Sequence, residues 1–150
     1  DKQILYRIND KDLNNKENWQ IISQDSLDYL ELVAFRGHVV VKAVDQNNQY
    51  KVMILDIGNN MHKEYITFPG CSYVINISRT EYNAPSVRFL YSSVIQPETV
   101  FEYIFNTKSL VTISSLYYDT IFDPSQYTME KIDIQSDGFE VPIILIYKIS

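Results

Sequence analysis

Two adjacent serines, Ser92 and Ser93, and two histidines, His38 and His62, are the residues whose types could serve nucleophilic acyl transfer in this chain of 150 residues. A serine nucleophile needs a base within hydrogen-bond reach and backbone N–H donors for the oxyanion. The sequence supplies neither at a recognisable spacing. His38 opens an apolar run and His62 lies in a polar turn, so both read as structural or solvated side chains. The serine pair, on the edge of a hairpin, reads as hydroxyls that bond to a turn or face water. There are 4 glycines, and none stands two before and two after a serine, so no G-x-S-x-G nucleophile elbow is present. Asp119 and Asp123 could be paired carboxylates, but in a polar linker they read as turn-forming or solvated groups. Neither histidine has a carboxylate partner at helical spacing, and Cys71 is the only cysteine, so no metal ligand set is drawn. Asn76-Ile77-Ser78 matches the glycosylation sequon inside a predicted strand and is read as incidental. The expectation is a chain with no catalytic, cofactor-binding or metal-binding residue of its own.

Any chemistry must therefore come from the elements, and these are strands. A helical periodicity of 3.6 is missing, whereas the apolar runs are rich in β-branched and aromatic residues, with 12 tyrosines and few glycines or prolines. The central stretch, Arg88 to Phe105, reads as strand, turn at Pro97, strand. Its second run, Val100 to Phe105, has a counterpart 48 positions earlier in Val52 to Ile57, and the same step back again reaches Ile4 to Asn9. Arg7 interrupts the apolar pattern of that third copy. A period of about 40–50 residues with four strands per unit is the mark of a β-propeller blade; an ordinary antiparallel domain with evenly spaced strands is the alternative.

Along the chain, Gln3 to Asn9 and Trp19 to Ser23 make half a blade, residues 1–24. A whole blade follows over 30–68, with strands Leu30 to Phe35, His38 to Val44, Tyr50 to Ile57 and Glu64 to Phe68. After Pro69 and Gly70 a second blade occupies 73–114, with strands Tyr73 to Ser78, Arg88 to Ser93, Thr99 to Phe105 and Leu110 to Ser114. The partial propeller thus spans 1–121, residues 122–127 form a linker, and 128–150 form a hairpin about Asp137-Gly138. Asp-Gly between apolar runs predicts a type I′ turn, which needs φ > 0 at both central residues. Pro142 cannot donate to a ladder and predicts an edge nearby.

Net charge −6 argues against a nucleic-acid partner, because phosphate binding needs clustered Lys and Arg. The longest apolar run, Val141 to Tyr147, is far too short to span a bilayer, and the N-terminus lacks a signal pattern. With one cysteine nothing demands an oxidising compartment. A soluble, cytoplasmic chain is expected, and the start at Asp1 within a strand-like run suggests a piece of something longer.

Three blocks of residues carry a resemblance. Arg88, Tyr91, Ser92, Ser93, Pro97, Thr99 and Phe101 match an "R-hydrophobic-x-YSS-x-x-x-P-x-T-x-F/Y" hairpin; Phe122, Asp123 and Tyr127 follow; then come Ser136, Asp137, Gly138, Val141, Pro142, Leu145 and Tyr147, with the spacing after Ser136 slightly compressed. In that order they resemble the prolyl oligopeptidase family of serine peptidases, and within it the oligopeptidase B (protease II) branch. The resemblance implies the last blades of a seven-bladed propeller followed by the first hairpin of an α/β-hydrolase domain. It further implies an enzyme that cleaves short peptides after Lys or Arg, with nucleophile, acid, histidine and oxyanion hole all downstream of Ser150. This segment would then be a non-catalytic lid part, meeting peptides through the hydrolase domain. The other reading is a stand-alone β-rich binding module, or the remnant of a truncated peptidase gene, that associates through exposed sheet edges.

Overall fold

A computed structural model describes residues 3–78, 81–116 and 123–149. The chain divides into two compact units, Asp1–Ile66 and Thr67–Ser150.

The first unit opens with an antiparallel ribbon of β1 (Leu5–Arg7) and β2 (Gln20–Ser23). The polar stretch between them folds into two short 3-10 turns, Asp10–Asp12 and Lys16–Asn18, because Asn and Asp side chains offer the backbone local partners. Asn15 does this directly, its side-chain oxygen accepting from Glu17 N at 3.2 Å. A four-stranded antiparallel sheet follows: β3 (Leu27–Ala34), β4 (His38–Asp45), β5 (Tyr50–Asp56) and β6 (His62–Ile66), in that spatial order. β3 begins at Leu27, earlier than Leu30. Its polar Asp28 breaks the apolar run that sequence reading follows, yet points outward at no cost, and Leu30 is the extra residue of a β-bulge between Tyr29 and Glu31. The bulge changes which residues face which way, so Tyr29 and Leu32 both fall on the face of Val41 and Met53. On that face Val41, Met53 and Leu55 form a buried core against which Leu5, Ile22, Tyr29, Val39 and Met61 pack. The opposite face carries the buried Val40, Val52, Ile54 and Ile66. A sheet apolar on both faces needs a packing partner on each, as a propeller blade does.

The second unit repeats the plan with β7 (Tyr73–Ser78), β8 (Ser86–Ser93), β9 (Thr99–Ile104) and β10 (Ser109–Ser115), again hydrogen-bonded in sequence order and antiparallel. After a 3-10 turn at Pro124–Gln126 the chain ends in a long two-stranded ribbon, β11 (Tyr127–Ser136) with β12 (Phe139–Lys148).

The 48-residue offset is a structural equivalence. β5 and β9 are both third strands of their sheets, and their registers repeat: Val41 faces Met53 as Phe89 faces Phe101, each residue 48 positions from its counterpart. The ribbon β1–β2 is a two-stranded antiparallel sheet, with β1 inside the third copy of the repeat. At the last hairpin Asp137 (φ 51) and Gly138 (φ 83) both adopt the left-handed backbone that the Asp-Gly pair predicted. Pro142 stands opposite Asp133 in a ribbon of only two strands, where each strand has one unpaired edge and a missing N–H breaks no sheet centre. No helix among the described residues is long and apolar enough to cross a membrane.

Candidate functional site

The motif-bearing hairpin β8–β9 builds the aromatic heart of the second unit. Alternate residues of a strand share a face, so Val87, Phe89 and Tyr91 on β8 and Thr99, Phe101 and Tyr103 on β9 all point to one side, and all are buried. Phe68, from the segment that enters the unit, packs among them: its ring lies 5.4 Å from Phe89, 5.8 Å from Phe101 and 6.1 Å from Tyr91. Edge-to-face contacts dominate, the geometry aromatic quadrupoles prefer. Tyr91 cannot leave its hydroxyl unpaired at 1% exposure, and it donates to the Pro69 carbonyl at 2.6 Å. Burial pushes its pKa up, so the phenol stays protonated and remains a donor.

That bond fixes a bend. Gly70 follows at φ +78, and a side chain there would meet the Met129 methyl at 2.7 Å. Cys71 Sγ lies 3.7 Å from the Met129 carbonyl oxygen. Residues 68–71 therefore join the aromatic face of the blade to the base of β11. The site is a mechanical junction between blade and terminal ribbon, carried by Tyr91, Gly70, Cys71 and Met129.

The matched serines serve structure here. Ser93 Oγ accepts from Gln96 N at 3.1 Å and Ser93 N donates to Gln96 O, closing the loop of the hairpin. Ser92 faces Val74 across the β7–β8 ladder. Both serines belong to the second unit, whereas both histidines belong to the first; residues 67–150 contain no histidine, so no serine–histidine pair forms within that unit. Thr99 closes the other end of the loop, its buried Oγ1 donating to Pro97 O at 2.9 Å and lying 3.1 Å from Ser115 Oγ. On the outer face Arg88 Nε and Ser86 Oγ both donate to Glu102 Oε1 at 3.0 Å, and these bonds, Arg88 first, hold the Glu102 carboxyl below its ordinary pKa.

In the first unit, His38, Asp56 and His62 stand side by side on three neighbouring strands. Among the described residues no group of three or more His, Cys, Asp or Glu is arranged to hold a metal ion. Asp123 caps the turn before β11, accepting from Ser125 Oγ at 2.7 Å and Ser125 N at 3.0 Å, with its pKa lowered by those bonds. Asp119 lies outside the described residues. Asn76 and Ser78 sit on strand β7 as the sequence predicts.

A polar cluster that sequence reading missed ties β2 to β6. Asp25 Oδ2 accepts from Ser23 Oγ at 2.7 Å, Lys63 Nζ at 3.0 Å and Tyr65 OH at 3.1 Å. The Ser23 hydroxyl, then the Lys63 ammonium, hold the Asp25 pKa below its ordinary value. Partial burial and the bond to Asp25 push Tyr65 up to about 12. No local motif announces this cluster, because its halves lie about 40 positions apart.

Four-stranded antiparallel units repeated at a fixed step define the chain as blades of a β-propeller, with a terminal ribbon attached. No family model matches the sequence, and no curated protein matches it. Solved structures with the same fold include oligopeptidases. Oligopeptidase B from Trypanosoma brucei, solved with covalently bound antipain, superposes with a TM-score of 0.72 at 16% identity over 87% of this chain and 20% of that one. Oligopeptidase B from Leishmania major gives 0.71 at 14% over 86% and 20%. A post-proline cleaving enzyme from Rickettsia typhi gives 0.71 at 21% over 97% and 22%. The chain thus has the fold of a segment of these enzymes and spans about a fifth of their length.

Proposed function

We propose that this chain is a lid segment of a serine oligopeptidase of the oligopeptidase B kind: the last blades of a seven-bladed propeller, a linker at 122–127 and, from 128 on, the first hairpin of the hydrolase domain. The observation that carries the proposal is the coincidence of two independent signals, since the three sequence blocks in their order fall on β8–β9, on the capped turn at Asp123 and on β11–β12. The exposed apolar face of the terminal ribbon supports the same reading. Phe139 is 74% exposed, and Ile134, Val141, Leu145 and Tyr147 share its face, as strands that enter a larger sheet would present them. In this role the segment does no chemistry. It screens a hydrolase site against folded proteins and admits short peptides, those cleaved after Lys or Arg in the branch it resembles, with Leu116 to Tyr127 as one of the linkers about which lid and hydrolase move. A reducing cytoplasm suits a chain whose only cysteine, Cys71, is structural.

The test is the intact mass of the native polypeptide, captured from its source cell with an antibody against this chain and sequenced by mass spectrometry. A product several times longer, with peptides continuing past Ser150, supports the proposal. A native product of about this size overturns it in favour of a stand-alone module whose open edges at β3, β6, β7 and β10 pair with other chains. The pure 150-residue chain should not hydrolyse Lys- or Arg-containing peptides, and substantial hydrolysis would sink the lid assignment.

A further inference from the structure

We propose that Met129 is a peroxide-sensitive switch at the junction of blade and ribbon, whose oxidation to the sulfoxide draws the Tyr91 hydroxyl off Pro69 and frees the strap 68–71. A thioether gives up two electrons to a peroxide. A sulfur lone pair attacks one oxygen of hydrogen peroxide, the O–O bond breaks as the S–O bond forms, and the second oxygen leaves as water with both protons. The sulfur is oxidised, the peroxide is reduced, and a flexible apolar side chain becomes a polar one.

The geometry at Gly70 carries the argument. A side chain there would meet the Met129 methyl at 2.7 Å and the Tyr91 hydroxyl at 3.5 Å, so the thioether end and the phenol converge on one spot over the Gly70 backbone. The thioether is packed against that backbone, with no space for a further heavy atom on that side. An oxygen added to the sulfur meets this crowding, and it also changes the chemistry. Sulfide sulfur is a weak acceptor, whereas a sulfoxide oxygen is a strong one. Tyr91 has a single hydroxyl proton, now donated to the Pro69 carbonyl at 2.6 Å, and at 1% exposure water does not compete for it. A second strong acceptor beside it does, and every proton it takes leaves Pro69 without its partner.

The strap is built to respond at one point. Phe68, 4% exposed, is anchored in the aromatic face, and the ring of Pro69 fixes its own φ. Gly70 (φ 78) is the residue that adopts positive and negative φ alike, so the strap pivots there once the Tyr91 bond is lost. The pivot carries Cys71 off the Met129 carbonyl, to which its Sγ lies at 3.7 Å, and loosens the base of β11. Met129 itself is half-buried, whereas Met53, in the core of the first unit, is 2% exposed and shielded from an oxidant. The inference rests on this junction and stands independently of the peptidase assignment.

Peptide mass spectrometry and amide hydrogen exchange on the intact chain test the switch. Hydrogen peroxide should add one oxygen to Met129 and leave Met53 unchanged, and the amides of 70–71 and of the base of β11 should then exchange about tenfold faster. Methionine sulfoxide reductase should reverse both changes. Met129→Leu keeps the volume without an oxidisable sulfur and should make this exchange insensitive to peroxide. Cys71→Ser should keep the response, which separates the thioether from the thiol. In Tyr91→Phe the bond to Pro69 is already absent, so oxidation should add little. The proposal is overturned if Met129 stays reduced in the folded chain under peroxide that oxidises it in urea, or if its oxidation leaves the exchange unchanged. A response that survives Met129→Leu, that Cys71→Ser removes, or that keeps its full size in Tyr91→Phe overturns it equally. Should Tyr91→Phe fail to fold, the Met129→Leu comparison decides alone.

Discussion

Replacing Asp25 by Ala should loosen the first unit, and the structure sets the size of the effect. The carboxylate holds three donors, of which the Ser23 hydroxyl is the costliest to orphan, because Ser23 is only 2% exposed. A hydrogen bond to a charged partner contributes about 1.5–3 kcal/mol, toward the low end when the acceptor is partly hydrated. The Lys63 pair adds little: with side chains 33% and 43% exposed, solvent screening limits it to about 0–1 kcal/mol. The sum is about 2 kcal/mol, which at a urea slope of about 1–3 kcal/mol/M moves the midpoint by roughly 1 M. Trp19 emission during urea titration reads this unit directly, since it contains the sole tryptophan. The same cluster sets a pH window. The folded pKa of Asp25 lies below its unfolded value of about 3.9, so its contribution is present above pH 4 and fades as pH falls through the folded pKa. Tyr65 is raised to about 12, so its contribution is complete below about pH 10 and is lost as pH rises through 12. The Ala variant should lose both dependences. A midpoint that Asp25→Ala leaves in place, or an alkaline transition unchanged by it, would refute the assignment of the cluster as the tie between β2 and β6.

Two further substitutions probe the second unit. Tyr91→Phe removes the donor to Pro69 while keeping the ring, so it should cost about 1 kcal/mol and speed amide hydrogen exchange over 68–71 and at the base of β11 ahead of the rest of the unit. Gly138→Ala places a side chain at φ +83 and should destabilise the β11–β12 ribbon by roughly 1–2 kcal/mol, whereas Gly37→Ala, with ordinary φ and nothing within 4 Å, should leave the melting temperature within a degree or so; thermal melts by circular dichroism compare the two.

What could be read beforehand was whatever the chain encodes locally or repeats. The third-strand repeat was legible because β5 and β9 occupy the same place in equivalent sheets, and burial selects large apolar or aromatic residues at Met53 and Phe101 and at Leu55 and Tyr103 alike. The Asp137-Gly138 turn was legible because its backbone admits few residue pairs. Features made by distant partners were not. Ser23 and Asp25 meet Lys63 and Tyr65 only once four strands have been laid down, and nothing at either end marks the other. The start of β3 was misplaced for a related reason, since a bulge at Leu30 leaves no trace in a pattern of alternation that it interrupts.

Arg7 and Met61 are exceptions to the pattern of opposite kinds. Arg7 was visible as the residue that spoils the third copy of the repeat, where its counterparts Leu55 and Tyr103 are buried. Met61 offends in the opposite sense: its side chain suits the core, but its backbone sits where methionine is disfavoured. One residue departs in its side chain and the other in its backbone. The Met61 side chain packs on the Val41–Met53–Leu55 core, so the same turn that puts its backbone in the left-handed region delivers its side chain to the core, and that packing holds the strained conformation in place.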